Sequence, residues 1–566
     1  MKKIILIIFS VCTSQFFYGQ SVDWIKFFSG NYIERVVDMA IDSNDNIILY
    51  GDYNHEIDLD PGPDTLIARV DTANNIFIVK LNSDGNLIWA KTLGNTGFER
   101  AEQIKLDNFD NIFISGDFQG FMDFDPGPDS LILDSWQGDR FILKLDSSGN
   151  FRNVYVSNSA TLPNVRTFTI KPNGNLLLGG NFHETNDFDP GPNVYTISPA
   201  YAASFICELD TGMQFVSAQI VADNSGTTQI SIDNDQNIIL GGYLQNDADF
   251  DPGPDTFLLD PHNSYDVFFA EYDSTGNFLW AKTAGNNTNT RIKNLSVDHS
   301  GKIYFALDAY GSICIRNNIN DTCLFPGNAN SGAYLLNFDS SGNLNWSQYL
   351  NGLYSSVHCY ALAFDQINNI YLSGIYSNSV DFDPGLDTFI VTNYTIASSV
   401  YLQVLDSNHT FLNYSGYTGN SLKYINSLKF NSQGNLYAAG RFSGSCTFDT
   451  LAGLNYVSQG DDDGFLVKYN PLILGNYSEK IKNNTLSIYP NPGTDQINIK
   501  LENLTHGKAR INIINILGTT VWSSTLENSL LNEGYPISLS ELSDGIYTIV
   551  VSTENKIFSG RYIKLN

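Results

Sequence analysis

Between residues 21 and 470 a short apolar run recurs behind a polar turn. It appears as DSNDNIILYGDY, DNFDNIFISGDF, KPNGNLLLGGNF, DNDQNIILGGYL, DHSGKIYFALDAY, DQINNIYLSGIY and NSQGNLYAAGRF. The anchor positions are Asn46, Asn111, Asn175, Asn237, Lys302, Asn369 and Asn435, with spacings between 62 and 67 residues. A second pattern follows each anchor: an apolar run, a turn of Asp, Ser, Gly and Asn, and another run, as in FIVKLNSDGNLIWAKT and FFAEYDSTGNFLWAKT. Alternation of this kind predicts four strands per repeat, A to D in chain order.

Seven copies of four antiparallel strands predict an all-β chain built as a seven-bladed β-propeller over residues 21–470. A sandwich or solenoid array is the alternative. The seventh copy stops after strand C at Tyr469-Asn470, while SVDWIKFFSG near the start reads as a strand D. Trp24-Ile25-Lys26 lines up with Trp89-Ala90-Lys91 and Trp280-Ala281-Lys282. The N-terminal strand is therefore expected to complete the seventh blade and close the ring, which leaves no open edge. Trp24, Trp89, Trp280 and Trp346 share the D position, where packing between blades is expected over a sugar-binding role. The order GDF, DFDPGPD, FILKLDSSGN resembles the bacterial β-propeller repeats of the SBBP type, across roughly residues 21–470. It degenerates in repeats five and seven, and the resemblance implies no known catalytic activity.

The two ends read differently. Residues 1–20 begin with Lys2 and Lys3, continue in an apolar stretch from Ile4 to Val11, and end in small or polar residues. That is the pattern of a secretory signal peptide. Cys12 is expected to leave with it. No other stretch approaches the ~20 apolar residues of a transmembrane helix. Residues 471–485 read as a linker. Residues 486–566 alternate apolar and polar positions as a small C-terminal, Ig-like β-sandwich would. This segment resembles the type A C-terminal sorting domain of type IX secretion substrates. The resemblance is carried by Tyr489, Pro490, Asn491 and Pro492, by the strand ending at Leu517-Gly518, by the run from Leu542 through Gly545 to Tyr547, and by Lys564. It implies passage across the inner membrane, the type IX machinery as a partner, and a mature protein released or held at the outer surface.

Composition narrows the partners. Acidic residues number 60 and basic residues 31, a balance of −29; 47 of the acids are Asp, a turn residue. Such a surface repels phosphate backbones and anionic lipid, so nucleic acid is not an expected partner. A monomer is expected. Aromatic content of 13% argues against a disordered chain.

The candidate chemistry lies between strands B and C. There the sequence reads DLDPGPD, DFDPGPD, DFDPGPN, DFDPGPD and DFDPGLD in five repeats; repeat five lacks the motif and repeat seven keeps only TFD. Asp-Pro-Gly fits a type II turn with positive φ at Gly. Carboxylates at first, third and seventh positions also suit Ca²⁺, a hard cation that takes oxygen ligands. The candidate ligands are Asp58, Asp60, Asp64, Asp123, Asp125, Asp129, Asp187, Asp189, Asp249, Asp251, Asp255, Asp381, Asp383 and Asp387. Both readings stay open, as does a polysaccharide or protein ligand on that acidic rim. No catalytic residue is assigned: the seven His are scattered, and HExxH, GxSxG and GxxxxGK[ST] are missing. The main expectation is a secreted or surface protein with a binding or adhesive face and no enzymatic activity. A glycosidase or lyase on a propeller scaffold, and a structural envelope or biofilm protein, are the alternatives. Cys314 and Cys323 flank the missing DPGPD turn of repeat five and are either a disulfide or two thiols; Cys207, Cys359 and Cys446 complete an odd set.

Overall fold

The computed structural model describes residues 22–470 and 487–564, except 96, 158–161, 262–264, 286–289, 317–320, 325–330, 351, 353–354, 386–387, 394, 396, 450–453, 491–492, 502–506, 516–519, 544 and 554–556. The expected signal peptide, the linker 471–485, Asp387, Asn491, Pro492 and Gly518 lie outside the described residues. The chain divides into two compact units, Met1–Pro471 and Leu472–Asn566.

The first unit is all-β. Sheet one joins Glu34–Ile41, Ile47–Asp58, Ile67–Leu81 and Leu87–Leu93 in chain order, all antiparallel. The same A-B-C-D order recurs in sheets that start at Phe98, Asn164, Ser225, Arg291 and Val357. Sheet seven takes Lys423–Phe430, Leu436–Phe442 and Asp463–Tyr469, and its fourth strand is Val22–Phe28. Trp24 faces Lys468 there, as Trp89 faces Lys80 in sheet one. Strand A of each sheet touches strand A of the next, and strand A of sheet seven touches that of sheet one. Asn426 of sheet seven donates to the Val36 carbonyl at 2.8 Å, and Ser427 to Asp38 at 2.8 Å.

The repeated anchor Asn has a mechanical reason. In DSNDN, Asp42 Oδ1 accepts the amides of Asn44 and Asn46, and Oδ2 accepts Asn46 Nδ2 at 2.9 Å. Asp107 with Asn111, Asp233 with Asn237 and Asp365 with Asn369 repeat these bonds. The turn thus carries its own caps.

The strand-D tryptophans form the seam between sheets. The Trp89 ring lies over Gly149 in the next sheet's C–D turn, so a Cβ there would stand 3.1 Å from it. Trp24 lies over Gly85 and Trp280 over Gly342 in the same way. In sheet six His409 holds the turn position instead, and Trp346 stacks on its ring at 4.0 Å. These contacts are the inter-sheet packing read from the sequence.

In the second unit a three-stranded sheet (Ser487–Tyr489, Gln496–Lys500, Tyr535–Ser538) and a four-stranded one (Lys508–Asn515, Thr520–Glu527, Gly545–Thr553, Ile557–Lys564) share a core of Ile497, Ile499, Ile511, Ile513, Ile549 and Tyr562. Lys564 is buried; its Nζ donates to the carbonyls of Leu539 and Leu542 and pairs with Asp495 at 2.9 Å. Tyr547 donates to the Ser543 carbonyl at 2.6 Å. Tyr489 is exposed, Pro490 follows it, and Gly545 opens a strand. No helix among the described residues is long and apolar enough to cross a membrane.

Candidate functional site

The five DPGPD loops adopt one geometry. Asp58 Oδ1 accepts the amides of Asp60 and Leu66, and Asp60 Oδ1 accepts the Gly62 amide at 2.8 Å. Asp123 with Asp125, Asp187 with Asp189, Asp249 with Asp251 and Asp381 with Asp383 repeat the arrangement. Between each pair sits a buried apolar plug: Leu59, Phe124, Phe188, Phe250 or Phe382. Asp64, Asp129 and Asp255 are exposed.

The expected type II turn is not what forms. Gly62, Gly127, Gly191, Gly253 and Gly385 are absent from the positive-φ glycines. Glycine is required for another reason. A Cβ would stand 2.9 Å from Asp60 Oδ1 at Gly62 and 2.8 Å from Asp125 Oδ1 at Gly127, so the capping carboxylate occupies the space. The loop is an Asx turn, held by a side chain. Calcium takes six to eight oxygens. Among the described residues no group of three or more His, Cys, Asp or Glu is gathered to hold a metal ion. Each first Asp has one oxygen engaged by two amides.

Cys314 and Cys323 are bonded to each other across the hairpin Ile313–Arg316 and Asp321–Leu324. Cys207, Cys359 and Cys446 are buried free thiols, and burial pushes all three up, Cys446 to about 12.

A second set of residues lies where strands A begin and strands B end. Each A–B pair has a one-residue bulge near that end, which turns an extra side chain away from the ladder. Sheet one places Arg35 on Asp52 at 3.0 Å. Sheet two supplies Arg100 and the bulge residue Glu102; Arg140 reaches Glu102 at 2.9 Å and Asp117 at 3.1 Å. In sheet three the bulge residue Arg166 donates to Asn181 at 2.7 Å. Tyr243 of sheet four stacks with Tyr265, centroids 5.7 Å apart. Sheet five adds Arg291 and Lys293, and Asp308 there accepts Lys293 at 3.4 Å and His358 of sheet six at 2.9 Å. Tyr360 lies 5.5 Å from Tyr424, and Arg441 covers the Tyr424 ring at 4.9 Å. Arg441 also pairs with Asp462 at 2.6 Å, so seven cations stand at this end with the carboxylates Asp52, Glu102, Asp117, Asp308 and Asp462, in a chain whose overall balance is −29. Arg100, Arg166 and Arg291 are exposed and, among the described residues, form no ion pair.

The electrostatics tie the set together. Burial raises the Asp52 carboxyl, and Arg35, Arg100 and Arg441 from three sheets oppose that rise. Burial likewise raises Glu102, opposed first by Arg140. One residue before two of the arginines, Glu34 and Glu99 are fully buried. Burial pushes both up to about 8, and Asp463 adds to the rise at Glu34. Burial thus shifts both carboxyls toward the protonated form.

The sequence reading passed over this ring because it is no contiguous motif. A signal was present: eleven residues before the anchors stand Arg35, Arg100, Asn164, Gly226, Arg291, His358 and Tyr424.

Comparison with known proteins finds the secretion system C-terminal sorting domain over residues 487–564. A relative is an uncharacterised WD repeat-containing protein of Acanthamoeba polyphaga mimivirus, 20% identical over 543 residues; the match takes in 80% of this chain and spans 38% of that protein. Among solved structures, dimeric latent PorU from Porphyromonas gingivalis aligns over 82% of this chain and 32% of its own, with 10% identity and a TM-score of 0.13. The sorting tail marks a secreted or outer-surface protein that engages the type IX machinery. The WD-repeat relative is consistent with a propeller scaffold.

Proposed function

We propose that this is a seven-bladed β-propeller, closed by its N-terminal strand, that is exported through type IX secretion and presents a binding face without catalysing a reaction. One observation carries the binding reading: constancy of the frame against variation at one place. The Asp–Asn turn cap repeats in sheets one, two, four and six. The mouth positions eleven residues upstream hold Arg, Asn, Gly, His and Tyr. A scaffold that repeats its supports and varies one surface is arranged for recognition at that surface.

The test incubates the full exported chain with extracellular polymer from its own culture. The expected result is co-sedimentation with the polymer length unchanged. New reducing ends or unsaturated products would replace this reading with a hydrolase or lyase.

A further inference from the structure

We infer that the inner-strand mouth binds anionic saccharide, with the exposed guanidinium groups of Arg100, Arg166 and Arg291 taking its carboxylate or sulfate groups. The inference rests on the binding-face reading and names the ligand class. Three observations support it. The cations are concentrated against the trend of the molecule: six of the nine Arg in residues 21–470 stand at this mouth. Arg100, Arg166 and Arg291 come from sheets two, three and five, are exposed, and form no ion pair among the described residues. Guanidinium is a planar donor matched to an oxyanion.

The remaining lining fits sugar better than a nucleic acid. Asp117 stands beside Arg140 and Asp308 beside Lys293 and His358, and carboxylates accept hydrogen bonds from hydroxyls. A polymer with a charge at every closely spaced phosphate would meet repulsion from those carboxylates and from the −29 surface. A saccharide carries hydroxyls beside its anions for those carboxylates to accept, which a DNA phosphodiester backbone lacks. Tyr243, Tyr360 and Tyr424 are partly exposed, with Tyr265, Lys293 and Arg441 against one face of each ring.

Affinity electrophoresis of the full chain tests this, with polygalacturonate, dextran sulfate, neutral dextran and single-stranded DNA as the embedded polymers at 150 mM salt. Retardation is expected with polygalacturonate, dextran sulfate or both, and the pair tells carboxylate from sulfate. The variant R100Q/R166Q/R291Q should weaken it about tenfold or more, while R69Q/R152Q, at exposed arginines elsewhere, should not change it. The melting temperature of each variant checks folding; the charge reversal Arg100→Glu gives a second reading if the triple variant fails to fold. Retardation that survives the triple variant, or is equally strong with DNA, overturns the inference. Mouth-dependent binding of neutral dextran alone also overturns it, while leaving the binding-face reading in place.

Discussion

Five of the seven B–C hairpins hold themselves, and two lean on a neighbour. In the DPGPD repeats the hairpin closes on its own aspartates, and its short strands pair only with each other or continue strands B and C of their own sheet. Repeat five has lost those aspartates, and repeat seven has Thr447 in place of the first and keeps only Asp449. Their hairpins instead join the strand D before them. Ile313–Arg316 pairs with Phe278–Gly285 of sheet four, and Ser445–Asp449 with Phe411–Gly419 of sheet six. The orphan amides of a hairpin must be satisfied somewhere. The two solutions show that side-chain caps and an added strand are interchangeable answers. Where the cap is lost, sheets four and six grow to six strands.

The comparison can be broken in three places. The largest effect is expected from Phe250→Ala, which empties the plug beneath a self-held hairpin. Removing a fully buried Phe costs about 3–5 kcal/mol, and chemical denaturation should report it. A loss under about 1 kcal/mol would mean that the plug does not support the hairpin. Next comes reduction of the Cys314–Cys323 bond, which should loosen the leaning hairpin of repeat five by about 2–3 kcal/mol. Hydrogen exchange should rise across residues 313–324 and stay unchanged in the five DPGPD hairpins. A uniform rise would show that the hairpins are not independent. The smallest effect is expected from Asp123→Asn, which keeps the Oδ1 acceptor and should change stability by no more than about 0.5 kcal/mol. Millimolar Ca²⁺ should leave the melting temperature of both forms unchanged. A rise with Ca²⁺ in the parent chain, lost in the variant, would make the self-held hairpins metal sites by linkage.

Much of this frame could be read from the sequence, because local rules carry it. The period of strands and turns gave the four-strand unit, and the out-of-phase ends gave the pairing of Val22–Phe28 with Asp463–Tyr469. Packing of the strand-D tryptophans between sheets followed from repetition alone; their seat on glycines such as Gly149 came only with the structure. What failed was finer. Asp-Pro-Gly suggested a positive φ at glycine, but the carboxylate of Asp60 or Asp125 claims the space instead, and turn propensity does not foresee that competition. The leaning hairpins depend on which edge lies next door, information held in another repeat. The arginine mouth escaped because Arg100, Arg166 and Arg291 come to the same end of their first strands in three different sheets, and those strands meet only through contacts of sheet with sheet.

The pairing of Trp24 with Lys468 also has a meaning in time. The strand made first is used last. Val22–Phe28 waits without its partner until Asp463–Tyr469, at the far end of the repeat region, has been synthesised. Closing so long a loop costs only slowly more than closing a short one, because the entropy grows with the logarithm of length. The delay therefore adds little to the final free energy. It does add order to assembly: six sheets can form as they emerge, and the seventh commits the chain to its finished state.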